Sequence, residues 1–176
     1  MLDKLGRPYW DDYFMAMAFL VATRSLDPRT KHGCILVSKK NRIISLGYNS
    51  PPAGVDDQFV PLEAPAKYLY MEHAERNAIY NTNSSLEGAT AYITGFPCIQ
   101  CLRALIQKGI KKIVYGPTQT ISLEGNENEA KAVENILNWN KDLKIVFYNH
   151  YDFLQTYQLL FTYMISKKMP IDTLLK

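Results

Sequence analysis

His73, Cys98 and Cys101 carry side chains that bind metals, and they fall in two short pieces, His73-Ala74-Glu75 and Pro97-Cys98-Ile99-Gln100-Cys101. Thiolate sulfur and imidazole nitrogen are ligands that zinc takes in a tetrahedron, and three protein ligands leave the fourth corner for water. Two thiolates cancel the ion's double charge and a neutral imidazole adds none. The metal therefore stays a strong enough Lewis acid to bring bound water towards deprotonation near neutral pH. The hydroxide so formed needs a partner that takes a proton and later hands it on. A carboxylate that is not itself a ligand does both, and Glu75 lies two residues from the histidine. The spacing reads as a hydrolytic zinc site with Glu75 as its acid-base residue.

A purely structural zinc site is closed and takes a fourth Cys or His. The one further cysteine is Cys34, in the apolar run Gly33-Cys34-Ile35-Leu36-Val37, where a small buried residue is the ordinary reading. A C-x-x-C alone also suits a redox pair, but His73-Ala74-Glu75 favours the metal. Residues two apart in mid-helix point in nearly opposite directions, so His73 and Glu75 must lie in the first turn of a helix, flanking the ion. Helix N-termini also suit Cys98 and Cys101, because free amides and the positive dipole end stabilise thiolates. Both halves of the site are therefore expected at helix starts.

Composition and periodicity say what must position these residues. The chain has 176 residues, 47% hydrophobic and 21% charged, which predicts a single folded domain over 1–176 and excludes a disordered chain. Its longest apolar run, Phe14 to Ala22, is too short to span a bilayer. Met1 to Pro8 form no apolar signal segment, and cysteines used as above leave no disulfide framework, so a reducing, cytoplasmic setting is expected. The net charge of +3 is too small by itself for a nucleic-acid surface and suits a phosphorylated small substrate.

Trp10, Phe14, Met17, Ala18 and Val21 recur at helical spacing, with Asp11 as the cap, and predict a helix buried on several sides. Cys34 to Val37 and Ile43 to Tyr48, joined by Ser38-Lys39-Lys40-Asn41-Arg42, predict an antiparallel hairpin with a solvated basic turn. Asn49 to Tyr70 carries four prolines and predicts a long irregular loop leading into the His73 helix. Then strand (Ala89 to Thr94), helix (Cys98 to Lys108), strand (Lys112 to Tyr115), helix (Asn128 to Asn138) and strand (Lys144 to Tyr148) alternate, which implies parallel strands with crossover helices. Gly109 stops the helix before it, and an apolar, tyrosine-rich helix is expected from Tyr151 to Ile165.

Further segments narrow the reading: Tyr13-Phe14-Met15-Ala16-Met17-Ala18-Phe19-Leu20, Arg24-Ser25-Leu26-Asp27-Pro28-Arg29-Thr30-Lys31-His32-Gly33, Gly47-Tyr48-Asn49, His73-Ala74-Glu75-Arg76-Asn77-Ala78-Ile79, Phe96-Pro97-Cys98-Ile99-Gln100-Cys101 and Lys108-Gly109-Ile110-Lys111-Lys112-Ile113-Val114-Tyr115. On these residues the chain resembles the deoxycytidylate (dCMP) deaminases of the zinc-dependent cytidine/deoxycytidylate deaminase superfamily, over about residues 9 to 148. The resemblance implies the α/β class, as a three-layer α/β/α fold whose central five-stranded mixed sheet carries helices on both faces. It implies hydrolysis of dCMP to dUMP and ammonia, supplying dUMP for thymidylate synthesis. Zinc-bound hydroxide would attack C4 while Glu75 shuttles protons to N3 and to the departing amine.

Asn49 would hold the nucleotide and Tyr115 would lie near the sugar. Arg24, Ser25, Arg29, Thr30 and Lys31 share one loop and are candidate donors to the phosphate, Arg24, Ser25 and Lys31 above all. Asp27, Pro28 and Thr30 equally read as the turn before the hairpin. The family further implies a homohexamer activated by dCTP and inhibited by dTTP, with Mg2+ on the effector's phosphates and Tyr48, Asp56 and Asp57 as candidate effector residues. Two departures stand out: Val55 where relatives often carry Cys, and Thr118-Gln119-Thr120-Ile121-Ser122 in place of a Tyr-His-Asp-like stretch. A tRNA adenosine deaminase shares the zinc pieces but should present a basic nucleic-acid surface, and a zinc protein without activity should lack Glu75. No nucleic-acid or membrane partner is expected.

Overall fold

The computed structural model describes residues 3–118 and 127–149. In chain order they form α1 (Trp10–Ala22), β1 (Gly33–Val37), β2 (Ile43–Tyr48), α2 (Ala74–Tyr80), β3 (Thr90–Gly95), α3 (Ile99–Gln107), β4 (Lys112–Thr118), α4 (Glu127–Trp139) and β5 (Lys144–Phe147). The helix expected over 151–165 lies outside the described residues. The long loop before α2 is irregular as expected, broken by two 3-10 turns at Asp57–Phe59 and Ala66–Leu69.

The five strands make one mixed sheet in the order β2-β1-β3-β4-β5. The hairpin pairs antiparallel, Gly33 opposite Tyr48 and Ile35 opposite Leu46, and β1 also runs antiparallel to β3. β3, β4 and β5 are parallel, in the register Thr90–Lys112–Lys144. Side chains alternate across a strand, and every residue of β1 is buried because both faces are covered. Cys34, Leu36, Ala91, Ile93 and Ile113 face one core under α2, α3 and α4, where Ala78, Leu102, Leu105 and Val133 meet them. Ile35, Val37, Tyr92 and Val114 face the other, under Phe14, Met15 and Ala18 of α1. The three-layer reading holds.

α1 departs from its expectation in two ways. Tyr9, not Asp11, occupies the cap position, without a side-chain bond. Asp11 lies inside the first turn, where its carboxylate accepts the Tyr92 hydroxyl at 2.6 Å and the Lys112 ammonium at 2.7 and 2.8 Å. Nor is the helix buried on several sides. Phe14, Met15, Ala18 and Ala22 turn to the sheet while Trp10, Tyr13 and Leu20 are exposed, because α1 is an outer layer with one sheet face to cover.

Two glycines set how closely the helices approach. A Cβ on Gly33 would lie 2.1 Å from the Ala18 carbonyl oxygen in α1. One on Gly47 would lie 2.4 Å from both the Ala74 carbonyl oxygen and the Ala78 amide nitrogen, so the backbone of α2 rests directly on β2. Asn77 and Asn81 fasten that contact, their side-chain amides donating to the Tyr48 and Leu46 carbonyls at 2.8 and 3.0 Å and covering the open edge of β2. Gly47→Ala is expected to cost about 3 kcal/mol, read as a fall in the urea midpoint at unchanged slope. It also pushes out the helix start that holds His73 and Glu75.

Candidate metal centre and its cavity

His73 is the N-cap of α2 and Cys98 the N-cap of α3, each with extended backbone (ψ 152° and 165°). Because His73 is not yet helical, its side chain does not diverge from Glu75 as it would in mid-helix. Cys101 follows within the first turn of α3, so both halves start helices, as expected. The Cys98 and Cys101 sulfurs each lie 3.5 Å from His73 Nδ1. Zn–S near 2.3 Å and Zn–N near 2.0–2.1 Å in a tetrahedron give N···S edges of about 3.6 Å, so both N···S separations already suit a zinc ion. Among the described residues the cluster comprises these three alone. Cys34 is not a fourth donor: it is fully buried in β1, and burial together with the Glu75 charge pushes its thiol up.

The hydrogen bond from Cys101, seconded by His73, outweighs burial and holds Cys98 down at about 3. The same bond, burial and the charges of Glu75 and Cys98 push Cys101 up. The bond to Cys98 raises His73. Left to themselves the donors thus favour one thiolate, and a dication favours two with a neutral imidazole. Glu75 is 5% exposed, and burial lifts its carboxyl above the ordinary value, nearer the range in which a group both takes and yields protons.

His73, Ala74, Glu75 and Cys98 form one wall of a cavity of about 310 Å3, a size suited to a small ligand. It opens where β2 and β3 end and β1 begins, which brings Asn49, Phe96 and His32 to the same place. The Asn49 side chain accepts the His32 amide at 2.7 Å and donates to the Thr30 carbonyl at 3.0 Å, tying two loops together. Another wall holds a buried ion pair. Lys67 Nζ lies 2.9 and 2.6 Å from the Asp27 carboxylate oxygens, with 2% and 4% of the two residues exposed.

Burial alone would raise Asp27. Bonds from Lys67 and from the Thr30 and Arg29 amides outweigh it and hold the carboxyl below 3.8. A depressed folded pKa adds stability that is present above the unfolded value, near 3.9, and lost as pH falls through the folded one. Between pH 7 and 3 the wild type is expected to lose stability that the Asp27→Asn/Lys67→Met protein does not, measured by urea unfolding at each pH. Lys67→Met alone, which strands the carboxylate, is expected to cost about 3–5 kcal/mol at pH 7.

Of the residues singled out from sequence, Asn49, Glu75, His73, Cys98 and Thr30 line the cavity, Cys101 completes the tripod behind it, and Arg29 is exposed with its amide on the Asp27 carboxylate. Arg24, Ser25 and Lys31 do not line it. Arg24 is exposed, Ser25 is buried with its hydroxyl on the Asp27 amide, and the Lys31 ammonium turns back to the Ser25 carbonyl. Tyr115 packs edge-on against Phe96, ring centres 5.0 Å apart, and it is Phe96 that reaches the cavity. Asp56 and Asp57 are exposed, and Asp56 caps the Gln58 amide at 3.0 Å; Tyr48 is half-buried. Lys67, His32, Tyr68 and Met71 line the cavity without having been singled out.

Residues 8–117 match the family described as the cytidine and deoxycytidylate deaminase zinc-binding region. Deoxycytidylate deaminase of Homo sapiens is 42% identical over 113 residues, 60% of this chain and 64% of the human one, so the chain spans just under two thirds of that relative. Deoxycytidylate deaminase of Mycobacterium phage D29 is 35% identical over 125 residues, 63% of this chain and 97% of the phage protein. The crystal structure of dCMP deaminase from the cyanophage S-TIM5 in complex with dCMP and dUMP has the same fold, with a TM-score of 0.66 at 23% identity over 81% of this chain and 98% of that one.

Proposed function

The chain belongs to the cytidine and deoxycytidylate deaminase zinc-binding family, and we propose on that footing that it hydrolyses dCMP to dUMP and ammonia. The observation that carries this reading is the three-donor tripod with a buried Glu75 outside the donor cluster, beside it in the wall of a cavity of about 310 Å3. Relatives named deoxycytidylate deaminase, from human and phage D29, supply the choice of substrate.

Zinc held by His73, Cys98 and Cys101 supplies a Lewis acid that makes water acidic near neutral pH. Glu75 takes the proton of the attacking water, delivers one to ring N3 as C4 is attacked, and carries the second to the departing amino group. Water and dCMP thereby leave as dUMP and ammonia. Burial keeps Glu75 able to do both, since it shifts the carboxyl towards neutral pH. Asn49 orients the nucleotide, Phe96 walls the base and sugar with Tyr115 behind it, and the loop that carries Arg24, Ser25 and Lys31, which reaches the cavity at Thr30, meets the phosphate. Arg24→Ala or Lys31→Ala is expected to raise KM for dCMP far more than for deoxycytidine; equal effects on both would remove these residues from the phosphate.

The same reading extends to a single-domain, cytoplasmic homohexamer, activated by dCTP and inhibited by dTTP. Tyr48, Asp56 and Asp57 would lie at the effector and Mg2+ on its phosphates. Among the described residues no helix is long and apolar enough to cross a membrane. Ammonia release from dCMP, deoxycytidine, dCTP and a tRNA anticodon stem, with and without a chelator, tests the proposal. Chelator-sensitive release from dCMP above all others is expected. A preference for the RNA would overturn the substrate, and turnover unaffected by metal removal would overturn the mechanism. A flat response to dCTP and dTTP would remove the regulation alone.

A further inference from the structure

Glu72, Arg76 and Gln100 form a polar bridge between the two helices that carry the metal donors, yet they neither belong to the donor cluster nor line the cavity. Glu72 immediately precedes His73, and its Oε1 accepts the His73 amide at 3.0 Å. The same carboxylate oxygen takes the Arg76 guanidinium, one helical turn on, through Nε and Nη2. From the guanidinium's other arm, Nη1 donates to Gln100 Oε1 at 2.8 Å. Gln100 sits in the first turn of α3, between Cys98 and Cys101.

We propose that this bridge is a clamp that fixes the spacing between the His73 half and the Cys98–Cys101 half of the zinc site, with Arg76 as its positioning residue. The donors need the clamp because of where they lie. Helices α2 and α3 are only seven and nine residues long, and all three donors are in their caps or first turns, where backbone amides lack partners within the helix. Nothing within either short helix sets the distance from His73 Nδ1 to the two sulfurs. A planar guanidinium spans a carboxylate on one side and an amide oxygen on the other in a fixed geometry. A lysine ammonium is a point charge on a flexible stem and holds no such fork. Arg76 is half-buried, so water competes weakly for its bonds to Glu72. Gln100 is exposed, which makes it a clean site for substitution.

Losing an outer partner of a metal site typically weakens binding about 10- to 100-fold. Zinc affinity is measured by competition with a chromophoric chelator for the wild type, Arg76→Lys, Gln100→Ala and the double variant, and melting of each metal-free protein is followed in excess chelator. Each single change is expected to weaken zinc binding about 10-fold or more. The double variant should be little worse than the weaker single, because the clamp acts as one unit, and the metal-free melting temperatures should be unchanged. Wild-type affinity in Gln100→Ala, losses that simply add in the double variant, or a matching fall in metal-free stability would each overturn the clamp. The proposal rests on the zinc reading but not on the substrate. A wild-type protein that takes up no zinc sinks both, whereas tight zinc in wild type and variants alike sinks the clamp alone.

Discussion

A Glu75→Gln protein is expected to hold zinc as the wild type does and to deaminate dCMP on the order of 10^3-fold more slowly, the usual range for removing one positioned acid-base group. That loss corresponds to about 4 kcal/mol of barrier. The amide matches the carboxylate in volume, so the wall of the cavity keeps its shape and no void opens beside Cys34. What is lost is proton transfer: an amide neither takes the water's proton nor delivers one to N3 or to the leaving amine. The effect should fall on kcat with KM nearly unmoved, since the proposed role of Glu75 is to act on the reacting atoms as charge shifts. Stability should move the other way. Burial disfavours the charged form of Glu75, so replacing a buried charge by a neutral isostere leaves a protein that melts no lower than the wild type. Zinc-loaded Glu75→Gln protein with wild-type turnover would remove the acid-base role and send the search to another group on the cavity wall.

How far a residue's partners lie along the chain decides what can be read from sequence. His73, Glu75, Cys98 and Cys101 were legible because zinc chemistry constrains residue type and short spacing together, and because two residues that diverge in mid-helix must share a first turn instead. The strands and helices followed from periodicity, and the parallel half of the sheet from their alternation. Asp11 shows the limit: an acid at a helix start reads as a cap, but its carboxylate is taken by Lys112, a hundred residues later and one layer away. Lys67 shows it again. Nothing in the proline-rich loop singles it out, and only the sheet order, which sets the loop before β1 against the loop after β2, pairs it with Asp27. Charge type singled out the loop of Arg24, Thr30 and Lys31 for a phosphate, but residue type does not say which of its side chains reaches the cavity wall: Thr30 does, while the Lys31 head turns to the Ser25 carbonyl. Phe96 carried a positional signal, one residue before Pro97-Cys98 at the end of β3, but aromatic residues at strand ends are too common to stand out.

Cys101→Ala is expected to abolish zinc binding and dCMP turnover together while the fold survives, and the contrast with Cys34→Ala makes the test sharp. Cys101 supplies one of three donors at 3.5 Å from His73 Nδ1, and a site reduced to one thiolate and one imidazole has lost the charge that neutralised the dication. Cys34, equally buried, sits in the sheet with its thiol held neutral. Its loss costs packing on the order of 1 kcal/mol and should leave metal content and rate near those of the wild type. The fold should outlast the metal because it does not depend on it. Separate apolar clusters on the two faces of the sheet hold the helices, unlike small zinc domains that unfold when the ion leaves. Chelation should therefore keep the circular dichroism spectrum, lower the stability by the binding free energy that is lost, about 4 kcal/mol when free zinc exceeds its Kd 1,000-fold, with a matching fall in melting temperature, and be reversed with activity by added zinc. Zinc analysis, melting and ammonia release on the same samples decide it. A metal-free protein that loses its secondary structure would make the site a structural staple, and Cys101→Ala protein that keeps one zinc and its turnover would put the reaction's metal elsewhere.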